Sequence, residues 1–76
     1  MSLVRKRSVS IRGHRTSFSL EDPFFEIIES IAEQRQISLA ALIADIDAAR
    51  DRRSNLSSAL RIYVLEWIKE NHNKQP

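Results

Sequence analysis

Arg15-Thr16-Ser17-Phe18-Ser19-Leu20, followed at once by Glu21-Asp22-Pro23, is the stretch from which the rest of the chain can be read. Thr16, Phe18 and Leu20 alternate with Arg15, Ser17 and Ser19, the period-2 pattern of a half-buried strand. One face packs on a core. The other shows a guanidinium and two small hydroxyls, a surface that can lie close against a polar partner. Pro23 ends the strand pattern and suits the first turn of a helix, with Asp22 before it as the expected N-cap. A short strand therefore feeds directly into helices.

Upstream, Arg7, Val9 and Ile11 fall on one phase and Ser8, Ser10 and Arg12 on the other. This is a second strand-like segment, with the apolar phase odd before Gly13 and even after it. A phase change at a glycine means a turn or a bulge. Gly13-His14 suits a two-residue hairpin turn with Gly first. That turn would set Ile11 opposite Thr16 and Val9 opposite Phe18, with Arg12 and Arg15 together on the outer face. The sequence leaves a rival open, in which residues 7–12 form a basic arm that orders only on a polyanion. Residues 1–6 read as a flexible basic arm, 7–70 as a single domain and 71–76 as a frayed tail.

Downstream, the spacing predicts three helices. Phe24, Ile27, Ile28 and Ile31 follow the i, i+3, i+4, i+7 template and place a helix from about Pro23 to Gln36. Ser38 reads as the N-cap of a second helix from Leu39 to about Arg50, with Leu42, Ile43 and Ile46 on its apolar stripe. The link is only a few residues, so the two helices turn sharply against each other. Asn55 reads as the next N-cap. Leu56, Ala59, Leu60, Tyr63, Val64, Trp67 and Ile68 then keep one stripe, and Ile62 and Leu65 fall outside it. A helix apolar around so much of its girth is central to the fold or shared between two chains, and in a small chain sharing is expected.

The composition narrows the classes. With 76 residues the chain makes one small domain, which buries only roughly 60% of its unfolded surface and is marginal on its own. A hydrophobic content of 42% argues against disorder. There is no Cys, so neither a disulfide nor a thiolate metal site can supply stability. His14 and His72 are too few and too far apart to hold a metal, and no cofactor site is expected. Self-association is the remaining source. No apolar run approaches ~20 residues, so no membrane span is expected, and a cytoplasmic location follows by default. Net charge is +2, but residues 1–20 carry five basic residues and no acid, while the remainder carries seven basic and ten acidic ones. That asymmetry points to a polyanion contact made by the N-terminal segment. A paired strand with polar, donor-rich outward residues is also narrow enough to enter the major groove of double-stranded DNA.

Catalytic chemistry is missing. Glu21 and Asp22 are adjacent, as acids favouring a helix start commonly are. The other carboxylates lie mostly on solvent faces of helices, with no pair arranged for acid–base work. No serine has a His or Lys at a spacing that would activate it. A single Gly forbids a glycine-rich phosphate loop.

Phe18-Ser19-Leu20, the Pro23-led helix, and Ser38 opening the second helix after Gln36-Ile37 together resemble the ribbon-helix-helix family of DNA-binding proteins. Phe-polar-Leu followed by Pro three residues after the Leu is similar to the Arc-type repressor pattern. The run from Arg7 to Ser17, with the Asn55-Leu56-Ser57-Ser58-Ala59 start of the third helix, resembles a bacterial subfamily of small proteins. The likeness covers about residues 7–70. It implies a mainly α fold with a short β-ribbon, a ribbon-helix-helix homodimer carrying an additional C-terminal helix. In that family two chains pair their strands into an antiparallel ribbon whose outward residues read base edges. Carried over, Ser17 and Ser19 are readers with Arg15 beside them, and Ser38 with the Leu39 backbone N–H holds a phosphate. Glu21 stands where a basic or amide reader is common. A carboxylate can accept from cytosine but is repelled by phosphate, which shifts reading toward Arg12, His14 and Arg15. Arg5, Lys6 and Arg7 are the expected backbone contacts. Phe18, Leu20, Ile62, Tyr63, Leu65 and Trp67 are the expected dimer interface. The expected function is a homodimeric transcriptional regulator, most simply a repressor. The alternatives are a protein-interaction module, such as an antitoxin-like or adaptor protein with a different protein partner, and a nonspecific architectural DNA binder.

Overall fold

The computed structural model describes residues 3–73 and the side chains of residues 3–71. Two strands, β1 (Val4–Ile11) and β2 (His14–Glu21), precede three helices, α1 (Asp22–Arg35), α2 (Leu39–Ala49) and α3 (Leu56–Asn73). β1 begins inside the stretch that reads as an arm, and α3 runs past residue 70; residues 74–76 of the expected tail lie outside the described residues. The strands form an antiparallel hairpin in which Ile11 faces His14, Val9 faces Thr16 and Arg7 faces Phe18.

That register differs from the expected one by two residues. The turn is Arg12-Gly13, with φ of 51° and 80°, the positive values that a type I′ turn needs at both central positions. Gly takes its positive φ without strain, and Arg12 accepts a left-handed conformation to complete the turn. A slip of two keeps every side chain on its expected face, because strand side chains repeat with period two. The helix start supplies the physical reason for the choice. With the turn at Arg12-Gly13, Val4 pairs with Glu21 and the ladder ends where α1 begins. A turn one residue later would require Val4 to pair with Pro23, which lies in the helix and lacks an N–H.

The inward face of the hairpin buries Ile11, Phe18 and Leu20 against Ile28 and Ile31 of α1, Leu42, Ile43 and Ile46 of α2, and Leu56, Leu60 and Val64 of α3. Every element thus contributes to one core. The Phe18 and Phe25 rings lie 6.4 Å apart, tilted by 32°, within the range where aromatic pairs attract. α1 closes with Gln36 in the left-handed region, where the Ile37 N–H reaches the Ala32 carbonyl at 3.0 Å. The Ser38 Oγ accepts the Ala41 N–H at 3.0 Å, and the Asn55 Oδ1 accepts the Ser58 N–H at 2.8 Å. Both are the caps expected from the sequence. Asp22 is not an N-cap. Glu21 holds that place without a side-chain cap bond, because its carboxylate is bound elsewhere.

That binding fastens α3 to β2. The Arg61 Nε and Nη2 both reach the Glu21 Oε1 at 3.0 Å. One turn earlier, the Ser57 Oγ accepts the Ser19 N–H at 3.0 Å. In a two-residue hairpin the Ser19 backbone groups point away from β1, so the start of α3 satisfies part of the open edge of β2. The Arg61 hydrogen bond lowers the Glu21 pKa from its ordinary value of 4.5, with a backbone hydrogen bond acting the same way against desolvation.

Phe18→Ala removes a core ring that no neighbour can replace. It should lower the unfolding free energy by about 3–5 kcal/mol, measured by chemical denaturation. Glu21→Gln tests the strand–helix clamp through pH. A carboxyl with a depressed folded pKa adds stability that is full above its unfolded value and lost as pH falls through the folded one. The parent should therefore lose more stability than Glu21→Gln on acidification below pH 4.5, and parallel curves would show that the clamp contributes nothing.

Candidate nucleic-acid interface

The outer face of the hairpin carries the even residues of β1 and the odd residues of β2. Ser10 lies opposite Arg15, Ser8 opposite Ser17, and Lys6 opposite Ser19. Lys6, Ser8, Ser10, Arg15 and Ser17 are exposed, and Ser19 is half-buried. Four small hydroxyls thus form the middle of the face, with Lys6 and Arg15 on it and Arg12 at the tip. The small side chains keep the face low, so a polar surface can approach the backbone closely. Ser8 and Ser10 were not among the expected readers. Their alternation with Val9 and Ile11 carried the signal, because it puts them on the same face as Ser17 and Ser19.

The single acid on this face is Glu21, already bound to Arg61. The residue that looked unsuited to reading is therefore a tether, and its charge is balanced from within the chain. Arg5 and Arg7, two of the expected backbone contacts, are engaged within the fold, Arg5 while remaining exposed and Arg7 half-buried. They lie on the inward phase and converge on Asp22, with the Arg5 Nε 3.4 Å from its Oδ1. The Arg7 Nη2 donates to the same Oδ1 and, at 3.4 Å, to the Leu20 carbonyl. Its guanidinium carbon sits 4.0 Å from the Phe25 ring centroid, a stacked cation–π contact. The Arg7 Nε is buried without a protein hydrogen-bond partner, as stacking and bidentate demands on one planar group permit. Arg7 is a structural residue. Lys6, between these two arginines in sequence, points the other way.

Arg12 and His14 are exposed at the hairpin tip, His14 on the inward phase opposite Ile11. Ser38 and Leu39 belong to the helical layer, not to the hairpin face. Once Ser38 has accepted the Ala41 N–H through its side chain and the Leu42 N–H through its carbonyl, Leu39 and Ala40 retain the open donors of the helix start. Among the expected dimer contacts, Phe18 and Leu20 are buried in this chain's own core and cannot face a second one. Tyr63 and Trp67 are half-buried against that core, the Tyr63 hydroxyl accepting from Arg35 at 3.4 Å. Ile62 and Leu65 are exposed. Among the described residues no group of three His, Cys, Asp or Glu side chains could hold a metal ion, and no helix is long and apolar enough to cross a membrane.

A family model described as a ribbon-helix-helix domain matches residues 4–68. No curated protein and no solved structure matches the chain. Proteins with this domain are generally DNA-binding regulators and typically not enzymes. The match takes in both strands, the two helices that follow and most of α3, in the order the family description requires. This chain belongs to the ribbon-helix-helix domain family.

Proposed function

We propose that this protein is a homodimeric transcriptional regulator, most simply a repressor, that reads double-stranded DNA by laying the outer face of its hairpin in the major groove. The observation that carries the reading is the hydroxyl-and-cation face of Lys6, Ser8, Ser10, Arg15 and Ser17, which bears no unpaired acid. Two antiparallel strands fit the width of the groove. Ser hydroxyls can donate to or accept from base edges, and Arg15 can form the bidentate contact to guanine. Lys6 and Arg12 contact phosphates, with Leu39 and Ser38 as the helix-start phosphate site. The hairpin supplies both ribbon strands from one chain, so the second chain adds a second reading unit. Two such units would favour a two-fold symmetric site.

Arg15→Ala should weaken binding to a preferred site by about 1–3 kcal/mol while leaving the fold intact. Selection of bound sequences from random duplexes, followed by titration of the enriched site, measures this. Unchanged affinity for both Arg15→Ala and Ser17→Ala would mean that the hairpin face does not read DNA. Lys6→Ala should weaken all duplexes alike and reduce the slope of log affinity against log salt by about 1. Arg7→Ala should instead destabilise the fold by about 1–3 kcal/mol, because it removes the stacking on Phe25 and leaves Asp22 short of a partner. Denaturation curves separate that loss from any change in DNA contact.

A further inference from the structure

Where the hairpin meets α3 there is a hollow of about 270 Å³ whose polar lining is Lys6, Ser17, Ser19, Asn55 and Ser57. Lys6 lies opposite Ser19 across the strands, and the Ser19 N–H donates to the Ser57 Oγ at 3.0 Å. The fold has already drawn on the acceptors of this lining. The Asn55 Oδ1 takes the Ser58 N–H, which leaves the amide nitrogen, a donor. The Ser57 Oγ takes the Ser19 N–H, which leaves its own hydroxyl proton to give. Lys6 is donor-only and stands in no salt bridge among the described residues. No carboxylate lines the hollow, and Glu21, two residues beyond Ser19, is held by Arg61. Side-chain donors gathered around a cation, without an acid, match an acceptor-only anion.

We propose that this hollow holds a phosphate of the DNA backbone, with Lys6, the Asn55 amide and the Ser57 hydroxyl donating to its non-bridging oxygens. The inference rests on the DNA reading above and adds the third helix to the contact. Ser17 belongs both to the outer face and to the lining, so the hollow adjoins the surface that would meet base edges. A two-stranded ribbon lying in the major groove has a sugar-phosphate backbone along each side. The hollow lies on the β2 side of the hairpin, where one of those backbones would pass. A phosphate seated there fixes the ribbon's register on the duplex and carries no sequence information of its own. Asn55 thus has two uses, its oxygen capping α3 and its nitrogen facing the ligand.

Titration of the full chain against its selected duplex tests this, with one neutral methylphosphonate placed at each backbone position in turn. Asn55→Ser keeps a helix cap and the net charge while removing the amide donors. It should weaken binding to the unmodified duplex about tenfold, with the thermal midpoint unchanged. At the position seated in the hollow, the methylphosphonate should weaken the parent about tenfold and Asn55→Ser no further, because both changes remove one contact. If Arg15→Ala weakens binding while Asn55→Ser does not, or if its loss adds to that of every methylphosphonate, the hollow holds no backbone phosphate and the hairpin reading stands. Inorganic phosphate is the second arm. Should it move the Ser19 and Ser57 amide resonances while the duplex scan stays additive, the hollow takes free phosphate, and its assignment to DNA is overturned. A parent that binds no duplex overturns both readings.

Discussion

With Arg12 and Gly13 both at positive φ, the hairpin closes on Ile11 and His14, and each residue of both strands thereby acquires a face. The inward phase brings Phe18, Leu20 and Ile11 into contact with all three helices. The outward phase collects Lys6, Arg15 and the four serines. Since side chains alternate with period two, core and outer face are not independent features of this chain: anchoring the one orients the other. A turn type that moved the register by a single residue would bury hydroxyls and expose Phe18.

The electrostatics follow from the same division. The N-terminal segment is strongly basic, yet its cations do not act together. Arg5 and Arg7 turn inward to Asp22 at the start of α1, where the carboxylate also favours the helix dipole. Arg61 reaches from α3 to neutralise Glu21. The acids nearest the hairpin are thus each matched by a cation within the fold. What remains on the outer face is positive charge from Lys6 and Arg15, with Arg12 beyond them, none of it in a salt bridge among the described residues. The face is modest in charge but sharply placed. That suits contact through hydroxyls and backbone at short range more than capture of phosphate at long range.

α3 accounts for how so short a chain encloses a core. It contributes Leu56, Leu60 and Val64 to the interior, and its first turns bind the β2 edge through Ser57 and Arg61. The Ser57 bond covers one backbone N–H of that edge, and the Arg61 bonds hold the Glu21 side chain. The helix therefore stabilises the hairpin twice, by packing beneath it and by satisfying part of its edge. Its remaining apolar residues, Ile62, Leu65 and Ile68, stay exposed.

Much of this was legible in the sequence. Period-2 alternation in Arg15–Leu20, the 3.6-residue stripes and the Ser38 and Asn55 caps are local signals, and local signals survive into the structure because backbone geometry imposes them. The serine face and the inward Phe18 were readable for that reason. The register was not, since both candidate turns preserve the faces and only the position of α1 decides between them. Nor were the partners of Arg7, Glu21 and Asp22: which charges meet depends on how α1 and α3 cross the hairpin, and no spacing along the chain encodes that. By itself the sequence determined which residues turn inward and which outward; tertiary structure alone decided which outward charges are left unpaired, because ion pairing depends on distances between elements far apart in the chain.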